Sequence, residues 1–182
     1  MEYKEHHLKG VIEYTPKKFG DSRGWFMESY NRQALEDIGI NATFVQDNQS
    51  LSGKNVLRGL HFQKPPFGQA KLVRVLSGRA LDVVVDIRKD SPTYGQHLTV
   101  ILDAEKSNQL FIPIGFAHGF LTLEDNTTFF YKCSDYYNKE SEGGLLWNDP
   151  ALGINWNVTD PIVSEKDQIL PGITDFITPF KK

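Results

Sequence analysis

The run Asn55-Val-Leu-Arg-Gly-Leu-His-Phe-Gln63 sets a guanidinium (Arg58), an imidazole (His61) and an amide (Gln63) among apolar residues. An imidazole takes up and returns protons near neutral pH, and a guanidinium forks onto anionic oxygens. In an ideal strand His61 and Gln63 share one face and Arg58 lies on the other. A bulge at Gly59 would reconcile them. Read alone, His61 is equally a hydrogen-bonded core histidine. A second run, Ile112-Pro-Ile-Gly-Phe-Ala-His118-Gly-Phe120, places another imidazole shortly after a Pro-Ile-Gly turn.

The elements that must position these groups read as short strands. Turn signals recur at Phe19-Gly20-Asp21, Ser52 to Asn55, Pro65 to Gly68, Ser77-Gly78, Ser91-Pro92, Glu124 to Asn126 and Gly143-Gly144. Between them lie runs rich in Val, Ile, Phe and Leu, the rhythm of an antiparallel sandwich or barrel. The clearest strand is Ala80 to Arg88. Its odd positions (Leu81, Val83, Val85, Ile87) should enter an apolar layer. Its even positions carry Asp82 and Asp86, and face either solvent or a polar cavity. Strands are also expected over Lys71 to Leu76, His97 to Leu102, Leu110 to Pro113, Phe120 to Leu123 and Thr127 to Lys132. Helix is scarce: Asn31 to Ile38 with Asn31 as N-cap, and Ser164 to Leu170 with a Ser-x-x-acid cap.

A chain of 182 residues with 40% hydrophobic and 24% charged residues is expected to form a single domain over 1–182. A net charge of -3 argues against a non-specific nucleic-acid partner. One cysteine, Cys133, permits no internal disulfide, which suits a reducing compartment. The charged start MEYKEHHLKG has no apolar run, so no signal peptide is expected, and no apolar run reaches membrane-spanning length. The expectation is a cytoplasmic protein without a membrane partner.

Pro113, Gly115 and His118 resemble the second motif of cupins, double-stranded β-helix barrels. That sets the expected fold: mainly β, a cupin-type jelly-roll barrel with a few short helices. Many cupins bind a metal through a His-x-His pair and a glutamate. Here the first motif reads His61-Phe62-Gln63, with no glutamate at the usual spacing. His61 and His118 are too few for a tight divalent site, so no metal is expected. His97 sits in an expected strand and His6 and His7 in a mobile terminus, with no chemistry assigned.

Several motifs in one order resemble a single family. They are Phe19-Gly-Asp-Ser-Arg-Gly-Trp-Phe26, Phe44-Val-Gln-Asp-Asn48, Leu57 to Gln63, Lys71-Leu-Val-Arg74, Pro113 to Phe120, Ser141-Glu-Gly143 and Trp147-Asn-Asp149. From about Gly10 to Asp167 the chain looks like a dTDP-4-dehydrorhamnose 3,5-epimerase. The resemblance implies a substrate with a ketone at C4 of a dTDP-linked 6-deoxy sugar. The ketone acidifies the hydrogens at C3 and C5. Removing one gives an enolate, and returning a proton to the opposite face inverts the centre. No cofactor is needed; a base, an opposite-face donor and an enolate clamp are.

The resemblance assigns the base to His61, its orienting partner to Asp167, the proton donor to Tyr131 and the cation at the C4 oxygen to Lys71. Arg23, Arg58 and Lys166 match diphosphate and nucleotide contacts, and Tyr137 a thymine-stacking position. Glu28, Gln46, Asn48 and Glu142 match further binding positions, and His118 a sugar-pocket histidine. Plain readings stand beside these: Asp167 as a helix-capping acid, Tyr131 as a strand aromatic, and Lys71 and the arginines as solvated charges. The Lys64-Pro-Pro-Phe67 loop varies in the family and has no assigned role. The family also implies a homodimer with exchanged N-terminal strands, Arg23 and Glu28 lying in the region that crosses. Two other readings remain: an epimerase acting at C3 or C5 alone on a related dTDP-keto-deoxysugar, and a non-catalytic nucleotide-sugar-binding cupin.

Overall fold

A computed structural model describes residues 1–181. In chain order the elements are β1 (Glu2–Glu5), β2 (Ile12–Thr15), β3 (Lys18–Asp21), β4 (Gly24–Met27), α1 (Arg32–Glu36), β5 (Gln46–Ser52), β6 (Val56–Gln63), β7 (Lys71–Ser77) and β8 (Arg79–Asp86). There follow β9 (His97–Asp103), β10 (Gln109–Ile112), β11 (Phe116–Thr122), β12 (Thr127–Cys133), β13 (Glu142–Gly144), β14 (Ile162–Val163) and α2 (Glu165–Gln168). One sheet runs β1-β2-β10-β7-β12-β5 and the other β13-β6-β11-β8-β9, with β14 parallel to β6. The ladders along both paths are antiparallel, and β3 and β4 form a separate hairpin. Mainly β with a few short helices, this is the jelly-roll architecture expected of a cupin.

The alternation along β8 explains how the sheets stack. Leu81, Val83 and Val85, with Ile87 beyond, pack outward against Leu145, Leu152, Trp156 and Phe180 of the C-terminal segment. Ala80 and Val84 point inward, into a core shared with Val73, Leu110, Phe120 and Phe129 of the facing strands. Phe120 and Phe129 stack with ring centroids 3.8 Å apart, joining the two sheets. The acids on the inward face split by position. Asp82 enters the barrel, and Asp86 is held at its rim by Arg88, Ser91 and Thr93.

Helix caps follow the sequence closely. The Asn31 side chain accepts from the Ala34 N–H at 3.1 Å, and Gly39, at φ +89°, lets the chain leave α1. α1 and the turn after it bury Leu35 and Ile40 on the outer face of the first sheet, against Ile12, Tyr14, Leu72 and Phe111. Ser164 caps α2 by accepting from the Asp167 N–H at 3.2 Å.

The N-terminal stretch differs from the expectation of a mobile end. Glu2–Glu5 pairs in full register with Ile12–Thr15, and the His6 side chain meets Glu13 at 3.2 Å. β1 through β5 escape a pattern search because EYKE, KFGD and QDNQSLS carry few of the residues that mark strands. Their ladders are tertiary pairings, not local preferences.

Candidate active site

The base of the site is a defect in β6. Register between β6 and β11 is His118 with His61, then Phe120 with Arg58, so β6 spends one residue more than its partner. Gly59 sits there at φ +133°, a conformation L side chains rarely adopt. A Cβ at Gly59 would stand 2.5 Å from the Gly119 Cα. The bulge turns the strand's parity over. Arg58 before it and His61 after it therefore both line one cavity, which an unbroken strand forbids.

That cavity has two lobes inside the mouth of the barrel. The larger, about 520 Å³, includes Arg58, His118, Phe120 and Asp167 in its wall. The smaller, about 360 Å³, includes Gln46, Asn48, Gln63, Tyr137 and Glu142. His61, Lys71, Tyr131 and Lys166 line both lobes and so stand at their junction. Lys71 and Tyr131 come from β7 and β12 of one sheet, His61 from β6 of the other. A ligand spanning the lobes meets the imidazole on one side and the phenol on the other.

His61 is fixed from behind. Its Nε2 lies 2.7 Å from Asp167 Oδ1. Asp167 is 3% exposed, and its Oδ2 accepts from the Gly59 N–H at 3.1 Å. Burial works to raise the Asp167 carboxyl, but bonds from His61, Gly59 and Ser164 outweigh it and hold the group below its ordinary pKa. An ionised Asp167 accepts, so Nε2 carries hydrogen and the lone pair of a neutral ring sits on Nδ1. The backbone and the side chain of Asp167 are used separately. Its backbone N–H completes the α2 cap, while its carboxylate serves His61.

Lys71 is half-buried; burial lowers its ammonium from the ordinary value, against the attraction of Cys133 and Asp82. The Lys71 Nζ stands 5.9 Å from the Tyr131 ring centroid. Burial raises the Tyr131 phenol, so it holds its proton throughout the neutral range. Arg58 reaches Ser52 Oγ at 3.2 Å on the cavity rim. Lys166 pairs with Glu142 at 2.6 Å, and the Tyr137 N–H donates to Gln46 Oε1 at 3.0 Å. The Gln46 amide in turn donates to Asn48 Oδ1 at 3.1 Å.

Arg23 and Glu28 are not among the residues lining the cavity. Arg23 is exposed in the β3–β4 turn and pairs with Asp21; Glu28 follows the hairpin and accepts from Asn31 at 3.2 Å. Two residues named in the sequence received no role there. Asp82 bonds His118 Nε2 at 2.7 Å inside the barrel. Its place on the inward face of β8 beside a possible polar cavity was the available signal. Gln63 donates to the carbonyls of Phe67 and Tyr136 and accepts from the Asn138 N–H, so it ties the Lys64–Phe67 loop to the Tyr137 segment. Among the described residues no group of three or more His, Cys, Asp or Glu side chains is placed to hold a metal.

A family model described as dTDP-4-dehydrorhamnose 3,5-epimerase matches residues 5–175. The enzyme of that name from Salmonella typhimurium is 55% identical over 166 residues, covering 90% of this chain and 91% of that one. The Bacillus anthracis enzyme, solved with TDP and PPi bound, superposes with a TM-score of 0.91 at 48% identity, covering 94% and 99%. The Legionella pneumophila enzyme, solved with dTDP-4-keto-L-rhamnose, gives 0.92 at 43%, covering 97% and 94%. A matched family model spanning almost the whole chain, and relatives this similar over nearly their full length, place the chain in the dTDP-4-dehydrorhamnose 3,5-epimerase family.

Proposed function

We propose that this chain epimerises C3 and C5 of dTDP-4-dehydro-6-deoxy-D-glucose, giving dTDP-4-dehydro-L-rhamnose for dTDP-L-rhamnose synthesis. The observation that carries the reading is the junction of the lobes, where His61 with Asp167 behind it faces a space also lined by Lys71 and Tyr131. A binding module has no need of a buried acid orienting a half-exposed imidazole opposite a protonated phenol.

His61 Nδ1 takes the proton from the carbon beside the ketone. The C–H pair moves into the carbon–carbon bond, and the carbonyl pair moves onto the C4 oxygen. The Lys71 ammonium stabilises that enolate, and Asp167 stabilises the imidazolium. Tyr131 returns a proton to the opposite face as the enolate collapses to the ketone, and solvent restores the phenol. Inversion at the second carbon repeats the cycle. Between the two inversions solvent takes the proton from the His61 imidazolium as it restores the Tyr131 phenol.

Arg58 and Lys166 meet the diphosphate, with Lys166 exchanging its Glu142 partner for phosphate oxygens. Tyr137 is 57% exposed and offers a flat face to the thymine; Gln46, Asn48 and Glu142 complete the smaller lobe, and His118 meets the sugar. The chain acts as one domain over 1–182, in the cytoplasm; no described helix is long and apolar enough to cross a membrane.

The working unit is a homodimer with exchanged N-terminal strands. Arg23 and Glu28 stand outside their own chain's cavity, beside a hairpin that leaves Phe19, Trp25 and Phe26 more than half exposed. A neighbour's cavity and surface would use all five. Light scattering should give twice the 20.7 kDa chain mass; a mass of one chain contradicts the exchange. For the reaction itself, incubation with dTDP-4-keto-6-deoxy-D-glucose should give a product inverted at both carbons by proton NMR. Inversion at one carbon establishes the narrower epimerase, and recovery of unchanged substrate removes the reading.

A further inference from the structure

Asp82 is fully buried on the inward face of β8. Its Oδ2 lies 2.7 Å from His118 Nε2, and its Oδ1 finds no hydrogen-bond partner among the described residues. An unpartnered oxygen on a buried carboxylate is costly unless positive charge lies near. The half-buried Lys71 is the candidate for that charge. It lines the same cavity as His118 and feels Asp82 through space.

The groups around Lys71 come from every neighbouring strand. β12 presents Tyr131 and Cys133, both raised by burial and therefore protonated at neutral pH. β11 presents His118, which burial lowers toward the neutral ring. β6 presents His61, with Asp167 bound behind it. β10, Gln109–Ile112, contributes no titratable side chain. On β5, Asp47 is taken by the Lys132 ammonium at 2.9 Å. Among these described residues, Asp82 is the acid bound neither to a lysine or arginine nor to His61.

We propose that Asp82 is a positioning residue for the reaction: one oxygen fixes the His118 ring, and the carboxylate is the counter-charge that keeps an ammonium at Lys71. This rests on the reading of Lys71 as the enolate clamp. Only the charged amine stabilises an enolate, so removing the counter-charge lets Lys71 lose its proton at lower pH. The basic limb of the rate profile then moves down.

The test is Asp82→Asn, which keeps the size and an acceptor for His118 but removes the charge. The Lys71 amine is titrated directly, by its acetylation rate with acetic anhydride against pH, read at that residue by mass spectrometry. The labelling midpoint should fall by at least about one pH unit, the scale of a nearby opposite charge. Asp82→Glu should restore it. In turnover, the basic limb of kcat should begin about one pH unit lower and lie about tenfold below wild type beyond the wild-type midpoint, with KM changing less. A structural role alone moves neither the midpoint nor the basic limb. If Asp82→Asn does not fold, Asp82→Ser removes the same charge and carries the test. An unmoved midpoint overturns the proposal. A shifted midpoint in a protein whose wild type turns over no keto sugar keeps the pairing of Asp82 with Lys71 and removes the epimerase reading, and with it the role in the reaction.

Discussion

Replacing His61 with alanine abolishes epimerisation while dTDP still binds. His61 stands at the junction of the lobes with Nε2 held at 2.7 Å by a carboxylate that is itself 3% exposed. No other side chain at that junction pairs a basic nitrogen with a buried acid. General-base catalysis alone is worth roughly 10²–10⁴-fold, and abstraction beside a ketone depends on it, so kcat should drop by at least about 10³-fold. Nucleotide affinity should change by less than about threefold, because the contacts assigned to dTDP lie on Arg58, Tyr137 and Lys166. The alanine also strips Asp167 Oδ1 of its partner, a cost of about 1–3 kcal/mol in stability. His61→Gln separates the two effects, since its longer amide can place a donor where Nε2 stood without supplying a base. It should regain melting temperature and stay inactive. Steady-state kinetics, dTDP titration and a thermal scan on both variants check the set, and turnover by His61→Ala within tenfold of wild type contradicts it.

Tyr131→Phe leaves proton removal running and stops inversion. The phenylalanine ring keeps the tilted contact with Phe129 at 6.3 Å and the place of Lys71 beside it, so stability should change by less than about 1 kcal/mol. What disappears is the acid on the face opposite His61. Net epimerisation should fall about 10²–10³-fold. The enolate still forms, the His61 imidazolium trades its proton for a solvent deuteron, and that deuteron returns to the face the proton left. Substrate should therefore exchange hydrogen for solvent deuterium, with retention, faster than product accumulates. Exchange and inversion falling by equal factors would place Tyr131 outside the donor role.

The two variants divide the cavity in a way the amino-acid pattern already suggested in part. Strong alternation gave β7, β8 and β12 away, and those strands carry Lys71, Asp82 and Tyr131. The caps of α1 and α2 were equally plain, since Asn31 and Ser164 act through their own side chains. β5 was not legible. Gln46, Asn48 and Ser50 alternate toward the cavity, but a polar strand looks like a loop until β12 pairs with it from Thr127 to Cys133. Gly59 marked a suspected bulge. Only the register against β11 shows that Arg58 and His61 line one cavity because of it.

The roles of the site residues divide along the same line. His61 alone was compatible with a core histidine, and its 2.7 Å bond to a residue 106 positions away is a tertiary fact. The capping pattern around Asp167 was real and concealed its bond to His61. Asp82 was visible as an inward acid whose partner no spacing rule could supply, because His118 reaches it from a neighbouring strand. Arg23 and Glu28 lie outside the cavity that this chain lines, and nothing in their local sequence shows that.

The central claim is that His61 and Tyr131 act on opposite faces of a keto sugar at both neighbouring carbons. The most direct measurement is turnover of dTDP-4-keto-6-deoxy-D-glucose in heavy water, with deuterium at each carbon counted by NMR and mass spectrometry. Wild-type protein should place one deuterium at C3 and one at C5 of an inverted product, and His61→Ala should place none. Wild-type product without solvent deuterium, or His61→Ala labelling at the wild-type rate, would contradict the account.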